Sequence, residues 1–331
     1  MSFKVLWIER DACFDVEPGE TVLAAAQRQG VALPHECEFG GCGTCRMQLR
    51  EGAVDYEELP MALTEEEAAL GIGLACQARP RSDLAISVVP PGHCSDPVRL
   101  DATVLAVSAL GRDVIHLQLQ LPDDQELVYQ PGQYMNVLLP DGRCRSFSMA
   151  SRPADQRVDF HVRRIPGGHF TDGHLATLKP GDRLPVEIPL GSFRLHREDE
   201  RPLVMVATGT GLAPIKSMLE SLMDDDDCPP VHLYRGARTP EDLYLHDDIA
   251  AWAERLYEFR YVPVLSRAGG GWSGRTGYVQ DAVLADLNDL SEPAFYLCGS
   301  PAMIAGAKAA FLGRGASPEH IYCDGFVFQT R

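Results

Sequence analysis

The stretch HECEFGGCGTC, residues 35–45, sets three cysteines, Cys37, Cys42 and Cys45, among three glycines and almost no bulk. A loop this rich in thiols and backbone freedom has three readings. The cysteines form a disulfide, Cys42 and Cys45 act as a dithiol redox pair, or all three are ligands of a metal centre.

Composition narrows these. A chain of 331 residues is long enough for two or three domains, each with its own core. A formal charge of −17 argues against nucleic acid as a partner, and leaves an acidic face suited either to a basic protein or to solubility. No run of about 18 apolar residues is present, so no membrane-spanning helix is expected. The start, MSFKVLWIERD, carries charges too early for a secretory signal. Ten cysteines without a leader point to a reducing compartment, the cytoplasm, where clustered cysteines are more often metal ligands or catalytic than disulfides.

The chain reads in three pieces. Residues 1–93 run strand, helix, cysteine loop, strand, helix, strand, which predicts a small α+β domain. Gly30 is placed to stop the first helix, and Thr64 with Glu67 forms a capping box before the second. VPPGHCSDP, residues 89–97, is a linker. Residues 98–198 are short strand-like runs divided by turns such as QPGQ, PDGR and KPGD, as in an antiparallel barrel or sandwich. Residues 199–331 alternate five apolar strands with helical stretches near 212–223, 246–257, 278–287 and 301–312. That alternation predicts a parallel sheet covered by helices.

The loop can now be decided. C-x4-C-x2-C needs a distant fourth ligand, and LACQAR supplies Cys76. Zinc sites pair two C-x2-C hooks, and a thioredoxin-like pair sits beside a βαβ unit; neither pattern is present. Four thiolates, Cys37, Cys42, Cys45 and Cys76, complete a 2Fe–2S cage, with the glycines free to aim N–H groups at sulfur. The stretch resembles the plant-type ferredoxins over about the first 90 residues, which implies a β-grasp fold. Glu36 and Glu38 flank the loop as candidates for a partner-facing rim, or as merely solvated residues. Cys13, Cys94, Cys144, Cys228 and Cys323 lack any ligand spacing.

RCRSFSMAS, residues 143–151, resembles the R-x-Y-S motif of flavin domains like those of ferredoxin–NADP⁺ reductases. The resemblance implies Arg145 on the flavin pyrophosphate, Phe147 stacked on the isoalloxazine in place of tyrosine, and Ser148 near flavin N5. HVRRIPGGHFT, residues 161–171, matches that family's second motif. His161, Val162 and Arg163 fall on the strand lining the flavin. Gly167, Gly168, His169, Phe170 and Thr171 form a turn that opens a helix facing the pyrophosphate. His169 and His174 are surface or packing histidines rather than ligands.

In VMVATGTGLAPIKSML, residues 204–219, a glycine turn follows a strand and precedes a helix, an arrangement that cradles phosphate. Pro214 breaks the G-x-G-x-x-G pattern of a simple Rossmann turn. The segment matches the reductase family's G-T-G-x-A-P turn through Gly209, Thr210, Gly211, Ala213 and Pro214. YLCGSPAMI, residues 296–304, resembles the family's C-G-P segment, which implies Cys298 and Gly299 beside nicotinamide C4; the alternative for Cys298 is a core thiol. YCDGF resembles a terminal D-x-F in which Phe326 covers the flavin, although five residues follow and leave Phe328 as a rival. The resemblance therefore places Ser148, Thr210, Cys298 and Phe326 nearest the reacting atoms. Arg238 stands where an acid would read the NADH ribose, and Ser266–Arg267 matches a pair that reads the 2′-phosphate of NADPH. NADH is the expected donor on layout, with NADPH possible.

Taken over the whole chain, the layout resembles the reductase components of bacterial aromatic-ring oxygenases. It implies hydride from NAD(P)H to FAD, then single electrons through the cluster to a Rieske, di-iron or haem-thiolate oxygenase. The alternatives are a reductase serving a deoxysugar dehydratase and a redox-sensing protein without turnover. The missing N-terminal anchor argues against a membrane quinone reductase.

Overall fold

The computed structural model describes the chain except residues 1, 36, 37, 39, 42, 61, 89–96, 123–127, 141, 154, 155, 224 and 326–331. Cys37, Cys42, Cys94, Phe326, Phe328, Glu36 and most of the linker thus lie outside the described residues. The chain divides into two compact units, residues 1–93 with 300–309 and 323–331, and residues 94–299 with 310–322. Among the described residues, no helix is long and apolar enough to cross a membrane.

In the first unit the strands are β1 (Phe3–Trp7), β2 (Ala12–Val16), β3 (Arg46–Glu51), β4 (Val54–Asp55), β5 (Ile72–Leu74), β6 (Arg79–Pro80) and β7 (Leu84–Ser87). Five of them form a mixed sheet in the order β2-β1-β7-β3-β5. Its central pair β1–β7 is parallel, and β1–β2, β3–β7 and β3–β5 are antiparallel. Helix α1 (Val22–Arg28) is capped by the Thr21 hydroxyl, which accepts from Ala24 N–H at 3.2 Å. Gly30 at φ +74° ends it, as the sequence predicts. Val5, Trp7, Phe14, Val16, Leu23, Met47, Leu74 and Ile86 fill the core, and Cys45 and Cys76 belong to it. Each fully buried aliphatic side chain stabilises the fold by about 1.5–3 kcal/mol. The expected capping box heads helix α2 (Glu65–Ala69): Thr64 N–H donates to Glu67 at 2.8 Å, and Glu67 N–H donates to the Thr64 hydroxyl at 3.2 Å.

The second unit opens with β8 (Val98–Ala109), β9 (Val114–Gln120), β10 (Tyr134–Leu138), β11 (Cys144–Ser148), β12 (Arg157–Arg163) and β13 (Arg183–Leu190), one for each strand-like run in the sequence. They pair antiparallel in the order β11-β10-β13-β8-β9-β12. The two edges meet at a bridge between Met149 and Phe160, reinforced by Ala150 N–H donating to the Asp159 carbonyl at 2.7 Å.

Residues 203–325 carry β14 (Leu203–Thr208), β15 (Val231–Ala237), β16 (Arg260–Leu265), β17 (Arg275–Thr276), β18 (Ala294–Gly299) and β19 (Ile321–Gly325). Helices α3 (Leu212–Leu222), α4 (His246–Ala251), α5 (Val279–Asp286) and α6 (Pro301–Leu312) alternate with them. The sheet order is β17-β16-β15-β14-β18-β19, and the pairs from β17 through β18 are parallel. Strands β14 and β18 are almost wholly buried, as strands covered on both faces must be. The sheet has six strands rather than the expected five, because the two-residue edge strand β17 is polar and leaves no hydrophobic signature. The helix expected over 246–257 stops at Ala251 and continues only as a tight turn to Glu254.

Candidate functional site

At the cysteine loop, Cys45 and Cys76 are buried and joined through the backbone, Ala75 N–H donating to the Cys45 carbonyl at 2.9 Å. Gly40 at φ +80° has no alternative: an added Cβ would lie 2.7 Å from that of Pro60. Its carbonyl accepts from Ala62 N–H at 2.9 Å, and Gln77 donates to the Glu38 carbonyl at 2.8 Å, so both sides of the loop are tied down. Two buried thiols and a pinned, glycine-built loop fit a cluster held by four thiolates. Among the described residues no cysteine is in a disulfide.

The two flavin-type motifs, distant in sequence, meet. Phe147 on β11 and Phe170 pack with ring centroids 5.4 Å apart. Ser148 and Val162 are buried, Arg145 is half-buried, and Arg163 is exposed. Gly167 has φ +73° and open space where a side chain would stand, a fit for a backbone that a phosphate approaches closely. A Cβ on Gly168 would meet the Thr171 hydroxyl at 2.8 Å, the same hydroxyl that accepts from Ile165 N–H at 3.1 Å. The turn opens a helix, as the resemblance implies, although not a regular α-helix. His169–His174 is one π-helical turn followed by a 3-10 turn, because Asp172 N–H and Gly173 N–H both donate to the Gly168 carbonyl. The Asp172 carboxylate closes the loop, accepting from Gly167 N–H at 3.0 Å and Arg164 at 2.7 Å, and both bonds hold its pKa below the usual range. His174 packs on Phe170, with centroids 5.7 Å apart, in keeping with a packing role.

The glycine turn follows β14 as expected. Gly209 has φ +56° with open space above it, Gly209–Gly211 is a 3-10 turn, and α3 begins at Leu212. Pro214 sits in the first helical turn, where its missing N–H costs nothing. Gly211 approaches the backbone at Cys298 and Gly299, so these two family segments also converge. Cys298 is completely buried. Ser266 and Arg267 are exposed just past β16, and Arg238 just past β15. Arg267 N–H donates to the Arg238 carbonyl at 2.9 Å, which sets the two arginines side by side.

Several residues that the motifs do not contain join these parts. Lys216 on α3 donates to the Ala150 carbonyl at 3.0 Å and pairs with Glu220 at 2.6 Å, and the Ser217 hydroxyl donates to the Ser151 carbonyl at 2.5 Å. The helix launched by the glycine turn is thus fastened to the segment following Ser148. Tyr244 is buried, with its hydroxyl 3.2 Å from His161 Nδ1 and 3.4 Å from the Gly209 carbonyl. The guanidinium of buried Arg235 lies 4.5 Å from the Tyr244 ring and donates to the Tyr244 carbonyl. Burial pushes the Tyr244 phenol above its ordinary range, so it is a neutral donor at physiological pH. The only sequence signal for these residues was an apolar face on α3 and a strand of unusual polarity at Arg235.

Three family signatures match the chain in order. The 2Fe-2S iron-sulfur cluster binding domain covers residues 7–81, the oxidoreductase FAD-binding domain 101–195, and the oxidoreductase NAD-binding domain 205–309. The chain is 39% identical over 322 residues to the reductase subunit of an aromatic O-demethylase from an Amycolatopsis species, covering 95% of this chain and 96% of that one. It is 35% identical over 335 residues to CDP-6-deoxy-L-threo-D-glycero-4-hexulose-3-dehydrase reductase of Yersinia pestis, covering 99% of each. The crystal structure of the Amycolatopsis cytochrome P450 reductase GcoB matches with a TM-score of 0.71 at 37% identity, over 98% of both chains. The chain therefore belongs to the oxidoreductase family that joins a 2Fe–2S ferredoxin domain to an FAD-binding and a NAD-binding domain, the reductase components of aromatic oxygenase systems among them.

Proposed function

We propose that this protein is the reductase of a cytoplasmic oxygenase system, carrying electrons from NADH, or NADPH, to a terminal Rieske, di-iron or haem-thiolate oxygenase. Bound FAD and a bound 2Fe–2S cluster would supply the conversion of one hydride, with its electron pair, into two single electrons. The chain's own residues bind, orient and exclude water. In this reading Cys37, Cys42, Cys45 and Cys76 hold the cluster; Arg145, Gly167 and Gly168 hold the flavin pyrophosphate. Phe147, Ser148, His161, Val162, Arg163, Phe170 and Thr171 line the isoalloxazine side. Gly209, Thr210, Gly211, Ala213 and Pro214 receive the nicotinamide nucleotide, with Cys298 and Gly299 near its reactive carbon. Arg238, Ser266 and Arg267 face its adenosine end, and Phe326 stacks on the flavin. The division into a β-grasp domain (1–93), a Greek-key flavin barrel (98–198) and a nicotinamide domain (199–331) belongs to the same proposal; the Met149–Phe160 bridge supports the barrel.

The observation that carries the reading is the fastening of α3 to the segment after Ser148 through Lys216 and Ser217, which keeps a nucleotide turn and a flavin-type strand in one body. A test is steady-state oxidation of NADH with ferricyanide and cytochrome c, followed by reconstitution with oxygenase components scored by product. A protein that fails to turn over with either acceptor is a sensor, not a reductase. The Yersinia relative supports a second reading, a reductase for an iron–sulfur sugar dehydratase. Turnover with that dehydratase and with no oxygenase would select it.

A further inference from the structure

In the first unit a buried carboxylate, a buried lysine and an arginine whose side chain is 33% exposed meet beside the cysteine loop. Glu67 is 1% exposed and Lys308 2%. Lys308 Nζ lies 2.7 Å from Glu67 Oε1 and donates to Oε2 at 2.9 Å; Arg46, the residue after Cys45, pairs with Glu67 Oε1 at 2.8 Å. Both cations also reach one backbone oxygen, the Ala62 carbonyl, at 2.7 Å from Arg46 and 3.3 Å from Lys308. Ala62 N–H in turn donates to the carbonyl of Gly40 in the loop. The Arg46 guanidinium lies against the loop itself: a Cβ placed on Gly43 would be 3.6 Å from Arg46 Nε.

The group bears two positive charges and one negative, a net charge of +1 behind Cys45. A capping box needs only Thr64 and Glu67, which already satisfy each other, so neither cation is required to start α2. Burying an ion triad stabilises a fold little, and hydrophobic replacements are often as good. Its field is another matter. One electron arriving at the cysteine site adds one negative charge, and a fixed net positive charge beside the loop favours that state.

We propose that Arg46, Glu67 and Lys308 form an electrostatic tuning site that raises the reduction potential of the cluster, with Lys308 contributed from 263 positions after Cys45 in the chain. The proposal rests on the cluster reading above. Charge is what matters, so removing Lys308 and removing Glu67 must act in opposite directions, an outcome a purely structural role does not produce.

The test is a redox titration of the holoprotein followed by the electron paramagnetic resonance of the reduced cluster. Lys308→Met lowers the midpoint potential, Glu67→Gln raises it, and Lys308→Arg leaves it near that of the unaltered protein. The double variant Lys308→Met/Glu67→Gln keeps the net charge at +1, now carried by Arg46 alone, so its potential returns close to the starting value. Shifts of the same sign in both single variants overturn the proposal, as does no shift with the signal intact. Loss of the cluster from the double variant also overturns it, because that outcome assigns the group to structure. A missing cluster signal in the unaltered protein instead sinks the reading of the four cysteines.

Discussion

Gly211 stands against the main chain of Cys298 so closely that a methyl group on its Cα would lie 2.3 Å from the Cys298 carbonyl oxygen. Real Cβ atoms never approach an oxygen so nearly, and neither the turn nor the buried strand β18 has room to yield. Gly211→Ala is expected to destabilise the protein by about 1–3 kcal/mol, the ordinary cost of overpacking. It should also lower kcat/KM for NADH at least tenfold while FAD stays bound. Thermal unfolding and steady-state kinetics check both.

Cys76→Ser removes one buried thiolate and leaves the β11 and β14 regions untouched. The cluster's visible bands should disappear, ferricyanide reduction by NADH should persist, and cytochrome c reduction should collapse. Normal cytochrome c reduction by this variant would place the electron exit elsewhere.

Arg145→Ala takes the guanidinium from the R-x-x-S segment and should yield protein with little flavin after purification. Absorbance of the extracted flavin measures it, and chromatography of the extract distinguishes FAD from FMN; recovery of FMN alone contradicts a pyrophosphate site.

His161 is 5% exposed, and burial, with Lys216 and His116 nearby, holds its pKa well below the ordinary 6.5. An unfolded chain takes up that proton near pH 6.5 and the native one does not, so stability falls as pH drops below that value. In the window between the two pKa values the loss approaches about 1.4 kcal/mol per pH unit from this one group. Denaturant unfolding between pH 7.5 and 5.5 measures the slope, and His161→Asn should flatten it.

Arg267 and Arg238 present neighbouring cations at the ends of β16 and β15. Arg267→Ala should cost NADPH at least tenfold in kcat/KM and change NADH less than threefold. Equal losses for both coenzymes would mean that Arg267 does not read the 2′-phosphate.

Much of this was written in local chemistry. The thiol spacing, the glycine turns and the alternating strands were readable because each depends on residues close in sequence. So was the box of Thr64 and Glu67, two residues three apart. What escaped has a common cause: it is made by distance in the chain. The same Glu67 meets Lys308 across 241 positions, and Tyr244 meets His161 across 83. A lysine in the apolar helix α6 looks like an interruption until its partner is known. The edge strand β17, and the π form of the helix that opens after Gly168, were missed for the opposite reason, being too short to imprint any periodicity.

The bonds from Lys216 and Ser217 end on main-chain oxygens, those of Ala150 and Ser151. Every amino acid offers such an oxygen. The flavin-side segment is therefore free to change its side chains over evolutionary time without a matching change in the helix, whereas the helix must keep its two donors. Drift across this joint is one-sided, and a chimera assembled here should tolerate a foreign strand more readily than a foreign helix.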